Sequence, residues 1–174
     1  MLSIAFEEIP ESGTDLCADL GKDWIDPLAG PQFYSSGSKV HVLFTLQRAG
    51  PSVVAHGSLR GRLAFVCSRC AEETPYELAH HFTHVFVKGT HSGAIPEGFD
   101  EPESLEFTFF NGETIELEPL ASEELILALP RVPLCSEGCK GICQNCGRNL
   151  NQGACECGAD VVDPRWEKLR GIKL

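Results

Sequence analysis

A period of two residues runs through Lys39-Val40-His41-Val42-Leu43-Phe44-Thr45-Leu46-Gln47. Apolar residues at 40, 42, 44 and 46 alternate with polar residues at 39, 41, 45 and 47, and Leu43 is the one exception. Because successive side chains of a β-strand point to opposite faces, this alternation predicts a strand with one face on a core. The strand is expected to end at Ala49-Gly50-Pro51.

Similar runs continue on both sides of this strand. We predict strands at 2–6, 52–58, 59–66 and 75–87. In the run 59–66, Arg60 and Arg62 share the face opposite the apolar residues. A hairpin is predicted over 105–117, with Phe110, Asn111 and Gly112 as its loop, because this loop pairs 109 with 113, 107 with 115 and 105 with 117 and keeps the apolar residues on one face. Residues 88–104 lack any period and are predicted to form a surface loop.

Two helices are indicated by proline and capping signals. The first covers Pro119–Leu129, with Pro119 tolerated in the first turn and Pro130 ending it. A short last helix is expected to begin at Asp163 and Pro164, with Trp166 and Leu169 on one face. The predicted fold is α+β and mainly antiparallel β, a small sheet or partly closed barrel with one covering helix and a zinc-stapled Cys-rich C-terminal tail. Its parts are an acidic N-terminal stretch over 1–37, a β-rich body over 38–130 and the tail over 131–174.

Composition excludes several classes of protein. The 174 residues are 43% hydrophobic and 22% charged, which is ordinary globular usage and unlike a disordered, collagenous or coiled-coil chain. No run of about 18 apolar residues is present. The first eight residues have no basic region and become acidic at once, which is unlike a secretory signal, so we expect a cytoplasmic protein.

Charge is unevenly distributed along the chain. The formal net charge is −11, with −6 in residues 1–26, +5 in 27–71, −12 in 72–130 and +2 in 131–174. A uniformly basic nucleic-acid binder would look different. A local basic face on an acidic body, or an acidic surface for a basic protein partner, fits this distribution.

Eight of the nine cysteines form a pattern that suits metal binding. They are Cys67, Cys70, Cys135, Cys139, Cys143, Cys146, Cys155 and Cys157. Two thiolates in Cys-x2-Cys can turn back on one ion, and a reducing compartment favours metal over disulfides. We predict two Zn²⁺ sites of four thiolates, the first four residues forming one site and the last four the other. An interleaved pairing of 67/70 with 143/146 and an iron–sulfur cluster remain open.

Nothing in the pattern indicates catalysis. Four-thiolate sites are closed, and the chain has no His-Glu-x-x-His, no Gly-rich phosphate loop and no Gly-x-Ser-x-Gly. A redox role for Cys67 and Cys70 would need a βαβ setting, which the pattern lacks. We interpret His80, His81 and His84 as packed or solvated histidines, and we expect the protein not to be an enzyme.

A cationic patch is a further hypothesis. Arg60, Arg62, Arg69, Lys140 and Arg148 either contact RNA phosphate together, or the last three offset the charge of the thiolate sites beside them.

Four stretches of the chain form one motif set: Phe65-Val66-Cys67-Ser68-Arg69-Cys70, Ile126–Pro130, Cys139-Lys140-Gly141-Ile142-Cys143 with the residues that follow to Asn151, and Asp163–Trp166. This set resembles the YceD family of bacterial and plastid large-subunit ribosomal RNA accumulation proteins. The resemblance extends from about residue 38 to the end. Gln144 stands where many relatives have Pro, a change that we expect to be harmless.

The resemblance implies a role in maturing or stabilising large-subunit ribosomal RNA, with no known active site. The expected partners are that RNA or a basic large-subunit ribosomal protein, with no membrane and no small-molecule substrate. A zinc-dependent protein-interaction module outside ribosome assembly is the alternative. The RNA segment or ribosomal protein, the oligomeric state, zinc against iron and the role of residues 7–37 stay open.

Overall fold

The computed structural model describes residues 2–35, 37–89 and 106–157. Its strands are β1 (Ser3–Ala5), β2 (Thr14–Leu20), β3 (Phe33–Tyr34), β4 (Val40–Ala49), β5 (Ser52–Val66), β6 (Glu73–Lys88), β7 (Glu106–Phe110) and β8 (Thr114–Glu116). Its helices in these ranges are α1 (Lys22–Ala29) and α2 (Glu118–Ala128), with a 3-10 turn at Phe6–Glu8. The predicted last helix and most of the predicted loop 88–104 lie outside the described residues.

The main sheet has the strand order β2-β4-β5-β6-β7, and β3 pairs with the end of β5. All its pairs are antiparallel except β6 with β7. β1 and β8 form a separate two-stranded sheet. The predicted α+β class, mainly antiparallel, is therefore confirmed, and the sheet is open and not closed into a barrel.

The long pair β5–β6 is the centre of the sheet. The two predicted runs 52–58 and 59–66 form one continuous strand, paired over its whole length with β6, from Ser52 opposite Val87 to Val66 opposite Glu73. A two-residue connection, Gly50-Pro51, joins β4 to β5, and Gly50 has the positive φ of +61° that glycine adopts at little cost. The predicted alternation of buried and exposed residues holds along β4 and the middle of β5 and β6, whereas residues 63–65 of β5 and 84–87 of β6 are buried on both faces.

One face of the sheet is covered, whereas the other is open around His41, His56 and His81 but buried at Val85 and Val87. Residues 40, 42, 44 and 46 of β4 are fully buried, as their alternation predicted. Both α1 and α2 pack on this inner face: Ile25 and Leu125 are fully buried, and the Tyr76 hydroxyl of β6 donates to the Ala128 carbonyl of α2. The outer face carries the polar residues of β2, β4, β5 and β6. None of the helices in the described ranges is both long enough and apolar enough to cross a bilayer.

The predicted hairpin over 105–117 is wrong. β7 pairs in parallel with β6, whereas β8 pairs antiparallel with β1, where Ile4 is opposite Ile115. The Asn111-Gly112 connection thus leads from one sheet to the other, and Gly112 is not among the glycines with positive φ. Ile115 is buried and joins the same core as Leu2 and Phe6.

The N-terminal 37 residues contribute more than the sequence indicated. β2 extends the main sheet by pairing with β4 from Val40 to Leu46. Helix α1 was not predicted, since Gly21 and Pro27 suggested turns; it contains Pro27, and Ile25 is its fully buried residue. By contrast, the prediction of α2 holds within one residue at each end, with Pro119 in its first turn.

The buried His84 makes stability depend on pH. Burial lowers its pKa, and the opposing effect of Glu106, Glu124 and Glu123 is smaller. Its Nε2 lies 2.8 Å from the Thr108 hydroxyl. When the pH falls below the ordinary histidine pKa, His84 binds a proton in the unfolded state but stays neutral in the folded state. The free energy of unfolding therefore decreases as the pH falls through this range.

We therefore expect His84→Gln to lessen the drop in unfolding free energy between pH 7.5 and pH 5.5 by about 1 kcal/mol. Urea unfolding of both proteins at the two pH values measures this difference. The exposed His81 is the matched control, since His81→Gln should leave the drop unchanged. Equal drops in the His84 variant and the wild type would contradict the assignment.

Candidate metal centre

The β5–β6 connection is built as a cysteine knuckle. Cys67 follows the last residue of β5, its N–H donates to the Glu72 carbonyl at 2.9 Å, and the Ala71 N–H donates to the Cys67 carbonyl at 3.0 Å. Ala71, directly after Cys70, has φ +57°, a left-handed conformation that only a few per cent of non-glycine residues adopt. The turn places both thiols of this connection on the same side, where they are buried.

A second knuckle in the tail repeats this geometry. The Gly147 N–H donates to the Cys143 carbonyl at 2.9 Å, and Gly147, directly after Cys146, has φ +72°. Here glycine occupies the left-handed position that Ala71 occupies in the first knuckle. Glycine adopts this conformation at little cost, which gives Gly147 a structural role in the tail motif.

Four thiols from the body and the tail meet at the end of the β5–β6 pair. We call Cys67, Cys70, Cys135 and Cys139 the body cluster; their sulfurs all lie within 4.8 Å of one another. The Cys67 and Cys139 sulfurs are 3.8 Å apart, and the Cys70 and Cys135 sulfurs 3.6 Å. A tetrahedral Zn²⁺ with Zn–S bonds of about 2.3 Å separates its sulfurs by about 3.8 Å. The spacing of the four sulfurs thus suits the binding of one tetrahedral Zn²⁺ ion.

The other four thiols form a second group within the tail itself. Cys143, Cys146, Cys155 and Cys157, here the distal cluster, also lie within 4.8 Å of one another. These thiols are more exposed than those of the body cluster. The structure thus groups the eight cysteines as the first of the two pairings predicted above, and both groups could hold metal ions. Cys17 lies apart, exposed on β2.

The thiols of the body cluster differ in how readily they ionise, since the pKa of Cys67 is lowered, that of Cys139 is lowered by the hydrogen bond from Asn151, and that of Cys70 is raised. Burial raises the pKa of Cys67, but backbone N–H groups of Cys135, Cys70 and Arg69 outweigh burial and lower the pKa to about 6. For Cys70, a hydrogen bond from the Glu72 backbone lowers the pKa, but burial and the neighbouring thiols raise it to about 12. Four thiolates therefore need a bound cation to exist together.

The distal cluster shows the same division. Backbone N–H groups of Cys146 and Asn145 lower the pKa of Cys143 to about 6. The hydrogen bond with Cys146, together with burial, raises the pKa of Cys157 to about 12. Each cluster thus contains at least one thiol that ionises readily beside thiols whose pKa is raised, and a bound cation would favour the ionised form of the latter.

Contacts outside the ligands attach the tail to the body. The Ser68 N–H donates to the Pro133 carbonyl at 2.9 Å, and the Arg69 guanidinium donates to the Cys139 carbonyl at 3.0 Å. The sequence predicts that Arg69 either offsets the charge of the thiolates or binds RNA. The structure shows in addition that Arg69 holds the backbone at Cys139. The position of Asn151, whose side-chain N–H lies 3.3 Å from the Cys139 sulfur, had no signal in the cysteine spacing.

The five basic residues proposed for one patch lie in two places. Arg60 and Arg62 are exposed on the outer face of β5, and Arg62 pairs with Glu77 across the β5–β6 ladder. Arg69, Lys140 and Arg148 belong to the knuckles and tail, and the Arg148 side chain donates to the Ala154 carbonyl at 3.2 Å. The joint patch therefore stays a prediction.

The three histidines of β6 differ in their surroundings. His80 lies on the inner face, where its Nε2 is 2.8 Å from the nearly buried Glu124 carboxylate of α2. His84 is buried on the same face, whereas His81 is exposed on the outer face. His80 and His84 are thus packed and His81 is solvated.

A family profile described as "Large ribosomal RNA subunit accumulation protein YceD" matches residues 55–173, a span that includes both knuckles and all eight clustered cysteines. The chain belongs to the YceD family. The description of this family implies a role in accumulation of the large ribosomal RNA subunit, and it names no enzymatic activity.

One curated relative has the YceD name, and others are uncharacterized. The chain is 23% identical over 169 residues to the chloroplastic large ribosomal RNA subunit accumulation protein YCED homolog 1 of Arabidopsis thaliana, covering 80% of this chain and 50% of that protein. It is 27% identical over 135 residues to uncharacterized proteins of Mycobacterium bovis and Mycobacterium tuberculosis, covering 76% of this chain and 61% of theirs. The chain therefore spans between half and two thirds of these relatives. No solved structure matches it.

Proposed function

We propose that this YceD-family chain is a non-enzymatic ribosome-biogenesis factor that supports accumulation or maturation of large-subunit ribosomal RNA in the cytoplasm. The family match over residues 55–173 is the observation that carries this proposal. We further propose that each cysteine cluster binds one Zn²⁺, with Cys67, Cys70, Cys135 and Cys139 holding one ion and Cys143, Cys146, Cys155 and Cys157 the other. Bound zinc would supply a structural cross-link, and four protein ligands leave no open position for a substrate.

The uncovered outer face of the sheet supports contact with RNA. A shallow groove of about 390 Å³ runs across β4, β5 and β6 there, and three histidines and an arginine line it together with small and polar residues. These four residues are His41, His56, Arg60 and His81. Imidazole rings and a guanidinium on a flat strand surface can stack on unpaired bases and bond to phosphate, which is how single strands are recognised.

Charge on this face points to Arg60 as the main contact. The His41 ring lies 2.8 Å from the Asp19 carboxylate and the Arg62 guanidinium is paired with Glu77, so both side chains already have an acidic partner. Within the described residues, no carboxylate lies at ion-pair distance from Arg60. We propose that Arg60 binds phosphate directly and that Arg62 adds to the local field. We further propose that the RNA surface extends toward the cysteine clusters, where Arg69, Lys140 and Arg148 also contact phosphate.

The central test measures the ratio of large-subunit to small-subunit ribosomal RNA in cells depleted of the protein. We expect the ratio to fall on depletion and to recover with the wild type but not with Arg60→Ala/Arg62→Ala. Arg48→Ala is the matched control, because Arg48 pairs with Glu7 away from the groove and should support recovery. An unchanged ratio on depletion would contradict the proposed function itself.

Binding to large-subunit RNA fragments in vitro tests the contact surface separately. Losing the Arg60 phosphate contact, together with the weaker field of Arg62, should reduce the slope of log K against log salt by about 1 in the Arg60→Ala/Arg62→Ala protein. An unchanged slope in the Arg60→Ala/Arg62→Ala protein would exclude this face as the RNA surface, even if the ratio of ribosomal RNAs depends on the protein.

A protein partner is the second candidate, and exposed apolar residues favour it. Ile126, Leu127 and Val132 are 52%, 63% and 64% exposed at and just beyond the end of α2. Such a patch on an acidic body suits a basic ribosomal protein, or a partner outside ribosome assembly if the chain is a zinc-dependent interaction module. This candidate is supported if Leu127→Ser fails to restore the ratio of ribosomal RNAs in depleted cells while the salt dependence of RNA binding stays unchanged.

A further inference from the structure

The two cysteine clusters are linked by the segment between the two halves of the distal cluster. This segment, residues 148–152, is called the bridging loop below; it follows Cys146 and precedes Cys155. Residues of the bridging loop contact the body cluster as well as the distal cluster. A strand-like bridge pairs Ile142 with Asn149, and the Leu150 N–H donates to the Gly141 carbonyl at 2.9 Å. The distal cluster thus holds both ends of a loop whose middle reaches the other site.

Asn151 is the residue of this loop that touches a body ligand. Its side-chain N–H lies 3.3 Å from the Cys139 sulfur, and its side-chain oxygen accepts the Lys140 N–H at 2.7 Å. The same amide therefore supplies a donor to the thiolate and fixes the backbone next to it. A donor to a metal-bound sulfur orients the ligand and stabilises its charged form.

Glu72 is the counterpart on the body side. Its carboxylate accepts from the side-chain amides of Asn149 at 2.9 Å and Gln152 at 3.1 Å. Its backbone carbonyl accepts the Cys67 N–H at 2.9 Å. One residue thus joins the first knuckle to the bridging loop, so a displacement of that loop would act on the body ligands.

Close approach of the backbones makes this junction rigid. Gly141 has φ +75°, and a Cβ there would lie 3.0 Å from the Arg69 carbonyl oxygen. The tail therefore passes the first knuckle at a distance that only glycine allows without movement of the neighbouring backbone.

From these contacts we propose that the distal cluster controls how tightly the body cluster holds its metal, with Asn151 as the positioning residue and Glu72 as the anchor. A metal in the distal cluster fixes the ends of the bridging loop, and the loop in turn holds Cys139 and the first knuckle in ligating geometry. The two sites are then coupled, so occupancy of one raises the affinity of the other. This proposal rests on metal binding by both clusters and is independent of RNA contact.

The experiment follows Zn²⁺ transfer from the full-length, metal-loaded protein to an excess of a coloured chelator. Two ions per chain before the chelator is added would verify the metal part of the proposed function on its own. Parallel Cd²⁺ loading and cadmium NMR, with one resonance per site, identifies which cluster each release phase belongs to. Changing a residue that hydrogen-bonds to a metal ligand typically alters metal affinity 10–100-fold.

We expect Asn151→Asp to speed release from the body cluster by about 10–100-fold, because the change keeps the acceptor for Lys140 and removes the donor to Cys139. Cys143→Ser/Cys146→Ser should speed the same phase by a similar factor, and the two changes together should add little to either alone. Asn111→Asp makes the same chemical change on an exposed residue of the β7–β8 connection and should leave the rate unchanged.

Two results would overturn the coupling. One is a wild-type rate of body-cluster release when the distal cluster is removed. The other is a wild-type rate in Asn151→Asp, a variant that retains all eight cysteines and so does not depend on the tail surviving the loss of its own site.

Discussion

Cys139→Ser is expected to detach the tail from the β-rich body and to remove one of two bound metal ions. Cys139 is buried and is the ligand that both Arg69 and Asn151 contact. In small zinc modules the metal supplies roughly 10–16 kcal/mol of apparent folding free energy, which sets an upper limit for the loss. The body should stay folded, because Cys67, Cys70 and Cys139 are only three members of a buried core that consists mainly of aliphatic and aromatic residues from β4, β5, β6, the helices and the N-terminal segment.

Limited proteolysis, unfolding and zinc content together measure this change. Cleavage should appear first between Arg131 and the distal cluster, while a fragment containing β1 to α2 resists. Cys146→Ser is the matched control: at saturating zinc it should also lose one ion, yet leave residues 131–139 protected. A Cys139→Ser protein with two ions per chain and a protected tail would contradict the four-thiolate body site.

Gly57→Ala is expected to cost about 2–3 kcal/mol of unfolding free energy, because it overpacks the centre of the sheet. Gly57 is opposite Phe44 on β4 and Phe82 on β6, and the Phe82 ring lies across it. A Cβ at this position would come within 2.1 Å of that ring. The ring would have to turn outward and lose its edge contact with Phe44, whose centroid is 5.7 Å away.

Urea unfolding of Gly57→Ala measures this cost, and Gly112→Ala is the control because a Cβ there would meet nothing closer than 3.8 Å. Phe82→Leu combined with Gly57→Ala should be less destabilised than the two single effects added, since the smaller side chain leaves room for the new methyl group. Equal stability of the two alanine variants would show that Phe82 does not need the space at Gly57.

The sequence predicted the features that depend on local pattern. The alternation in 39–47 placed the buried face of β4, and Pro119 and Pro130 bounded α2 within one residue. Each knuckle is also a local feature, because its two ligands and the residue with positive φ lie within five consecutive positions. The pairing of clusters followed the shortest loop closures, which chain entropy favours.

Long-range pairing was not predictable in the same way. The apolar residues of β8 suit several partners equally, and the partner in the structure is β1, more than a hundred residues earlier in the chain. An Asn-Gly pair favours a hairpin locally, but burial of Ile115 against Leu2 and Phe6 outweighs that preference. Asn151 and Glu72 could not be identified from the sequence, because amide and carboxylate side chains that support metal ligands have no fixed spacing from the cysteines.

The body cluster also fixes an order of events during synthesis. Cys70 and Cys135 are 65 residues apart, so at about 5–20 residues per second the second half of the site is made several seconds after the first. The β5–β6 pair and its knuckle can fold in that interval, but the site closes only when Cys139 has been made. If the body cluster binds metal as proposed, acquisition of that metal is a late step of folding, and the metal content of a nascent chain would show whether the tail has reached the body.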